Sequence, residues 1–327
     1  MPEIEIVSVS GRLAALASPW WELWRQSRGA TVFQSPAWLI PWWKIFAPGD
    51  LATIAVWEAG RLIALAPLYL EDGSYGRRLL PLGIGISDHL DLLMMPDKPD
   101  AARGLGQGFA RLPLAWDSLE LEEMSPDASA LAVPTLPGTT EVRAPQSACP
   151  AVAMDGEADV SGLPMTIPGK RRQFFRRTAR RVDGARAEEP ATPAFLEILE
   201  SLHAARWAAR DEPGVLADPR VGAFHRLALP ELRRAGLARL TVARVGGRPA
   251  AALYQLCWGD RLATYIGGFD PQFAAASPLS FLVGEAIIHA ARQGRRRLDF
   301  LRGQESYKYH WGATDVWNCR RSFRRLQ

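Results

Sequence analysis

The sequence predicts an α/β (α+β) protein of two related domains, and three observations carry that prediction. The chain has 327 residues, 48% of them apolar, enough to fill two cores of ordinary size. A strand, a glycine-containing turn and a second strand are written twice. Residues 51–70 (LATIAVWEAGRLIALAPLYL) lie over residues 238–257 (ARLTVARVGGRPAAALYQLC), with Gly60 and Arg61 falling on Gly247 and Arg248. Each copy is followed by further strands and a helix, so the expected division is residues 1–150 and 151–327.

Taken in order, the first half continues through strands at 79–82 and 90–94, a helix over 101–112 and a strand over 118–122. Residues 134–168 are rich in Pro, Gly, Ala and Ser and read as a connection that hides a strand or a crossover. A helix over 169–182 follows, with Phe175, Ala179 and Val182 on one face and Arg172, Arg176 and Arg180 on a neighbouring stripe. Helices over 193–210 and 220–235 precede the second repeat. After it come a strand at 262–267, a helix over 279–292 and a strand at 298–302. The last strand, 316–323, alternates apolar and polar residues and is expected to close the second sheet.

Composition narrows the function classes. The net charge of +4 is modest, but Lys170, Arg171, Arg172, Arg176, Arg177, Arg180 and Arg181 put seven cations in twelve residues without an acid. Such a run suits phosphate, a carboxylated polymer, nucleic acid or an anionic membrane surface, and a plain solvated helix explains it equally well. Cysteines 149, 257 and 319 are odd in number and far apart, which indicates neither a disulfide framework nor a zinc motif. The five histidines form no metal or triad spacing, and no G-x-S-x-G elbow occurs, so a ping-pong enzyme is disfavoured. No basic and apolar leader and no membrane-length apolar run is present; a cytoplasmic protein without a metal is expected.

The densest chemistry lies in residues 298–312, LDFLRGQESYKYHWG, where a strand ends in Arg302 and Gly303 and is followed by Glu305, Tyr307, Lys308, Tyr309 and Trp311. This is the pattern of a site rim at a strand's carboxyl end. Upstream, Tyr265, Gly267, Gly268, Phe269 and Asp270 bring an aromatic ring, a flexible turn and a carboxylate to one edge. Ser277 and Pro278 then start a helix whose amino end suits a phosphate, with Ser277 the expected cap. His203, Arg206 and Trp207 share one face of their helix and are positioned either for a ligand or for domain packing.

YIGGFDP at residues 265–271, Ser277, Pro278 and DFLRGQESYKYHWG at residues 299–312 resemble the C-terminal half of acetyltransferases related to the bacterial cellulose-biosynthesis protein CelD, a branch of the GCN5-related N-acetyltransferase (GNAT) superfamily. The resemblance covers roughly residues 170–323; the first half joins it mainly through the repeated strand pair. It implies tandem GNAT-like acyl-CoA N-acyltransferase folds, each a twisted mixed sheet flanked by helices, an arrangement also found in the aminoacyltransferases that build peptidoglycan bridges. The implied reaction is transfer from acetyl-CoA or another acyl-CoA to an amine or hydroxyl of a sugar, lipid or cell-envelope precursor, as in polysaccharide biosynthesis. The pyrophosphate position of the superfamily falls on Phe273, Ala274, Ala275, Ala276, Ser277, Leu279 and Ser280. Here FAAASPLS replaces the usual glycine-rich loop, and Leu279 stands where relatives often have glycine, which leaves room for another acyl carrier.

Direct transfer needs a base, a proton donor and oxyanion stabilisation. Glu305 or Asp270 is the expected base, with His203 a substitute; Tyr307 or Tyr265 is the expected proton donor. Arg206, Trp207, Arg302, Lys308 and Trp311 are the candidate substrate-binding residues. The plainer reading makes Arg302, Glu305 and Lys308 a network that locks the last loop, with Tyr307 and Trp311 packed beneath it. A second class of function is an aminoacyl-tRNA-dependent transferase, or a noncatalytic protein that binds nucleic acid or another anionic ligand through the arginines.

Overall fold

A computed structural model describes residues 2–326. In chain order the elements are β1 (Glu3–Val7), α1 (Ser10–Ala15), α2 (Ala17–Gln26), α3 (Pro36–Phe46), β2 (Asp50–Leu51), β3 (Thr53–Glu58), β4 (Arg61–Ala66), β5 (Leu68–Gly73), β6 (Gly76–Pro81), β7 (Leu93–Met94), α4 (Pro99–Arg111), β8 (Ser118–Met124) and β9 (Thr139–Ala153). They continue as α5 (Gly169–Ala179), α6 (Thr192–Ala208), α7 (Pro219–Arg234), β10 (Ala238–Val245), β11 (Arg248–Trp258), β12 (Arg261–Phe269), α8 (Pro278–Arg292), β13 (Arg297–Asp299), α9 (Ser306–Tyr309) and β14 (Thr314–Arg325). Mixed β-sheet flanked by helices is the architecture the pattern predicted. No helix among the described residues is long and apolar enough to cross a membrane.

The chain divides into two compact units, residues 1–147 with 317–327 and residues 148–316. The division therefore departs from 151–327 at the carboxyl end. β14 was expected to close the second sheet; its residues 319–324 pair instead with β8 of the first unit. Arg321 explains why. Its guanidinium is fully buried, bonds Glu141 through Nε (2.8 Å) and Nη2 (3.1 Å), and donates to the Ala130 carbonyl at 2.7 Å. Alternation alone cannot tell which sheet offers such a partner.

The repeated strand pairs are both two-residue hairpins. Ala59 and Gly60 have positive φ between β3 and β4, as do Gly246 and Gly247 between β10 and β11. Such turns match the right-handed twist of their strands. In the first unit β1, β3, β4 and β7 form one sheet, and β14 pairs β8, which is followed by β6, β5 and β2. α4 lies close on β3 because Gly104 and Gly108 leave no Cβ to collide with Val56 and Ile54. Residues 2–50 hold β1 and three helices that hydropathy patterning did not resolve. Trp20 and Trp38 are fully buried there and donate to the Gln34 carbonyl and to Ser87 Oγ, both at 2.9 Å. The sequence trio Asp88, His89 and Asp91 serves this unit structurally at Asp91, which accepts from the amides of Leu92, Ser129 and Ala130. Burial lifts its carboxyl to about 7 against those three bonds.

In the second unit the strand order is β10, β11, β12, β13 and the end of β9, the strand hidden in the Pro-rich connection. β12 and β13 run parallel but pair only from Arg261 to Ala263 against Arg297 to Asp299. Beyond that point β12 carries on to Phe269, bent by a bulge at Tyr265, while the other strand turns away at Leu301, whose φ is +58°. The parallel pair thus opens at its carboxyl end. α8 packs its buried face, including Phe281, Leu282 and Ile287, on this sheet, and α5 lies against α8 with Phe175 stacked on Phe281 at 5.8 Å and seated over Gly284.

Replacing Arg321 by Met takes the guanidinium from the half-buried Glu141 carboxylate, which keeps Thr135 and Arg143, and leaves the Ala130 carbonyl without its donor; it is expected to lower the unfolding free energy by about 1–3 kcal/mol in urea titrations. Glu141 is held down to about 2, first by Arg321, from an ordinary 4.5. Its folded value lies below its unfolded one, so this contribution is present above pH 4.5 and is lost as pH falls toward 2. Wild-type stability should fall across that window, and in Arg321→Met the Glu141 part of the slope should shrink to what Thr135 and Arg143 sustain.

Candidate functional site

The site is built where β12 and β13 part. Four pieces of the second unit meet there: the end of β12, the helix α6, the loop and short helix of residues 301–309, and the start of α8 with its neighbour α5. Gly268 is what lets α6 come so near. A Cβ on it would stand 2.5 Å from the His203 amide nitrogen and 2.7 Å from the Leu202 carbonyl carbon. The close contact brings Arg206 over the strand, where Nη1 donates to the Gly267 carbonyl at 2.9 Å.

Arg206 is largely buried, and burial pushes its pKa down, while the nearby Tyr307 and Glu305 pull it up. Arg206, Glu305 and Tyr307, from two separate parts of the chain, therefore share one electrostatic environment. Tyr307 is pushed up to about 12 by burial and by Glu305, against the pull of Arg206. It is a protonated phenol at neutral pH, and 39% of the residue's surface remains open to solvent. Its ring meets Phe300 edge-on at 6.0 Å. Glu305 has a side chain 58% exposed and one oxygen 2.9 Å from Lys308 Nζ, leaving the carboxylate open to solvent.

Other candidates fall into structural roles. Lys308 was expected to hold phosphate or carboxylate, but its side chain is 2% exposed. Nζ donates to the carbonyls of Leu301 (3.1 Å), Arg302 (2.8 Å) and Gly303 (2.9 Å). It locks the left-handed turn at Leu301, whose amide donates to Asp299 Oδ1 at 2.8 Å. Trp311, expected to cover the substrate, is fully buried in the core. Arg302 contributes its carbonyl to the lysine and is itself half-buried. Asp270, an expected base, caps the 3-10 turn Pro271–Ala276 by accepting from the Gln272 amide at 2.9 Å and stands 3.6 Å from Arg248. Tyr265 sits at the bulge with its ring edge-on to His225 (5.7 Å) and Tyr254 (5.3 Å). His203 is buried, and burial with the Arg206 charge lowers it to about 4, so it is neutral at physiological pH. Trp207 is flanked by the guanidinium groups of Arg206 and Arg210, each 5.6 Å from its ring, and lies 5.8 Å from His203.

The segment with Phe273, Ala274, Ala275, Ala276, Ser277, Leu279 and Ser280 does lead into α8, with one difference. Ser277 takes a left-handed conformation (φ +51°) and turns its hydroxyl to the Ala274 carbonyl, so it does not cap the helix. The first-turn amides have no side-chain cap. Phe273 lies under Arg248 at 5.2 Å, and Leu279 faces Gly267. Two arginines of α5 and its end then reach this place. Arg171 donates from Nη2 to Ser280 Oγ at 3.2 Å, with its guanidinium 4.1 Å from the Trp311 ring, and Arg181 donates to the Ala275 carbonyl at 2.6 Å. Burial lowers Arg171 to about 10, still charged, and its Nε has no partner. A cation beside the positive end of a helix dipole suits an anion. The arginine run was visible in the sequence, but Arg171 and Ser280 are 109 residues apart, and nothing local marks which arginine turns inward. Cys257, buried in β11 with its thiol pushed up by burial, offers no nucleophile. Among the described residues no group of three His, Cys, Asp or Glu is placed to hold a metal ion.

Lys308→Met leaves the buried Leu301 carbonyl and the part-buried carbonyls of Arg302 and Gly303 without this donor, and should cost about 2–3 kcal/mol of stability in denaturant unfolding. Gly268→Ala forces α6 away from β12 and should cost about 1–3 kcal/mol, with Arg206 displaced from the Gly267 carbonyl.

Residues 169–309 match the family model described as an acetyltransferase (GNAT) domain. No curated protein matches the chain. Among solved structures, FemX superposes with a TM-score of 0.67 at 10% identity, covering 99% of this chain and 97% of that one. The C-terminal domain of a putative lysylphosphatidylglycerol synthetase from Agrobacterium fabrum gives 0.59 at 13% identity, covering 97% and 92%. L-PGS from Bacillus licheniformis gives 0.58 at 12% identity, covering 96% and 91%. At such identities the likeness is one of fold. Residues 169–309 thus hold a GNAT-superfamily acetyltransferase domain, which marks the protein as a transferase, and the chain as a whole is similar to FemX in fold.

Proposed function

We propose that this chain transfers an acyl group from an activated, phosphate-bearing donor to an amine or hydroxyl of a cell-envelope precursor or lipid, acting in the cytoplasm. The observation that carries the reading is the meeting of Arg206, Glu305 and Tyr307 at the open end of β12 and β13, next to the uncapped start of α8 and the inward-turned Arg171. The donor's phosphate lies against the α8 amides with Arg171 and Arg181. Its acyl carbonyl reaches into the gap between the strands.

The acceptor then attacks the acyl carbon, and Glu305, with its exposed carboxylate, takes the acceptor's proton directly or through water. The tetrahedral oxyanion forms near the Arg206 charge. As it collapses, Tyr307 gives its phenolic proton to the leaving sulfur or oxygen, and the proton held by Glu305 restores it through solvent. His203, neutral at physiological pH and lowered to about 4, is a poor proton acceptor and takes no part in this scheme.

Two donors fit this scheme. Acyl-CoA is what the GNAT domain match suggests, and membership of the CelD-like branch would point the same way. Aminoacyl-tRNA has the stronger support. Alanines and Leu279 stand in place of a glycine-rich phosphate loop, and Leu279 fills the space beside Gly267. The fold likeness to FemX and to a putative lysylphosphatidylglycerol synthetase also extends over nearly the whole chain. The same names support an envelope-precursor or lipid acceptor.

The test is transfer of labelled acyl group in parallel reactions with acetyl-CoA, a longer acyl-CoA and charged tRNA, using envelope precursors and phospholipids as acceptors. We expect turnover with one donor class, charged tRNA first, and a loss of about a hundredfold in kcat for Tyr307→Phe with donor affinity unchanged. Tyr307→Phe with full activity would remove the tyrosine from the mechanism, and no transfer from any donor would overturn the reading.

A further inference from the structure

We propose that the outer face of α5, with the hairpin of residues 157–165 beside it, docks on an anionic lipid surface. The helix uses its three sides differently. Phe175 and Thr178 face inward, and Arg171 turns toward the start of α8. Arg172 and Arg176 share the single carboxylate of Asp159 on a second side, at 3.7 and 2.9 Å. Lys170, Phe174, Arg177 and Arg180 recur at helical spacing along the third side. Lys170, Arg177 and Arg180 are exposed, and none has a carboxylate within ion-pair distance among the described residues.

The hairpin adds the apolar part. Ala158 and Pro164 form a bridge, Asp159 and Leu163 close it by a backbone bond of 2.8 Å, and Met165 bonds back to Glu157 at 2.8 Å. Leu163 and Ile167 anchor it in the core, fully buried. This rigid base holds Val160 at the tip 96% exposed and Met165 54% exposed. Asp159 ties the tip to the middle of α5, and Met165 Sδ contacts Arg172 near its start. Of the two acids in the hairpin, Asp159 is thus spent on Ser161 and the two arginines, while Glu157 at its base stays exposed.

Cations with two projecting apolar side chains fit a lipid surface better than nucleic acid. Anionic headgroups attract the cations, and the acyl boundary takes up valine and methionine, for which a phosphate backbone has no use. The surface adjoins the anion seat through Arg171 and Arg181 without using them, so it would bring the site to an acceptor held in a membrane. That last consequence rests on the proposed transferase reading; the docking itself does not.

The experiment is cosedimentation of the purified full chain with vesicles of phosphatidylcholine alone and of phosphatidylcholine and phosphatidylglycerol in equal parts, with bulk tRNA titrated in a separate arm. We expect binding to the anionic vesicles only, weakened roughly a hundredfold in the triple variant Lys170→Gln, Arg177→Gln, Arg180→Gln. The double variant Val160→Ser, Met165→Ser, which changes no charge, should weaken binding to the anionic vesicles about tenfold. Thermal unfolding of both variants at the wild-type midpoint shows that the fold is kept. Binding to neither vesicle, binding insensitive to both variants, or tRNA binding through the same three cations without vesicle binding would each overturn the proposal. Because vesicle binding needs no turnover, its failure is separable from failure of the transfer assay.

Discussion

The ammonium of Lys308, buried under the turn that ends β13, gathers the three successive carbonyls of Leu301, Arg302 and Gly303. The turn can therefore adopt the left-handed conformation at Leu301, a residue that does not choose it freely, and the chain leaves the sheet just as β12 bends at Tyr265. The opening between the two strands is the product of these two local distortions. Everything proposed about chemistry in the second unit depends on that opening being kept: Glu305 and Tyr307 are presented from the locked turn, and Arg206 comes to them because Gly268 admits α6.

The same economy of charge runs through the domain. The basic side chains do three different things according to where they point. Arg206 is held by a carbonyl and feels the charge of the acid and phenol of the opposing loop; Arg171 is stacked on Trp311 and aimed at the start of α8; Lys170, Arg177 and Arg180 stay in water. Buried guanidinium that keeps its charge is tolerable only with a partner or with an anionic ligand to come. This is why Arg171, with its Nε unpartnered, says more about a ligand than the exposed cations do.

Much of the frame was legible in the sequence. The hairpins at Gly60 and Gly247, α4, α6, α7 and α8 all announced themselves through turn chemistry and period, because those signals are local. The site was legible as a neighbourhood, and its division of labour was not. Lys308 and Trp311 looked like ligand contacts because cations and aromatics are read as exposed by default; the structure spends both on packing. Ser277 had the composition of a cap without the backbone of one. β14 carried an alternation that two sheets could satisfy, and only the partner of Arg321, 180 residues away, decided between them. In each case the missing information was a contact distant in sequence.

The central claim is that a donor's phosphate rests at the start of α8 with Arg171. The most direct measurement is calorimetric titration of the protein and of Arg171→Met with coenzyme A and with charged tRNA. The account predicts saturable binding of one of them, weakened about tenfold or more in the variant through loss of a charge-assisted contact. Absence of binding by both, or binding equally tight in Arg171→Met, would contradict it.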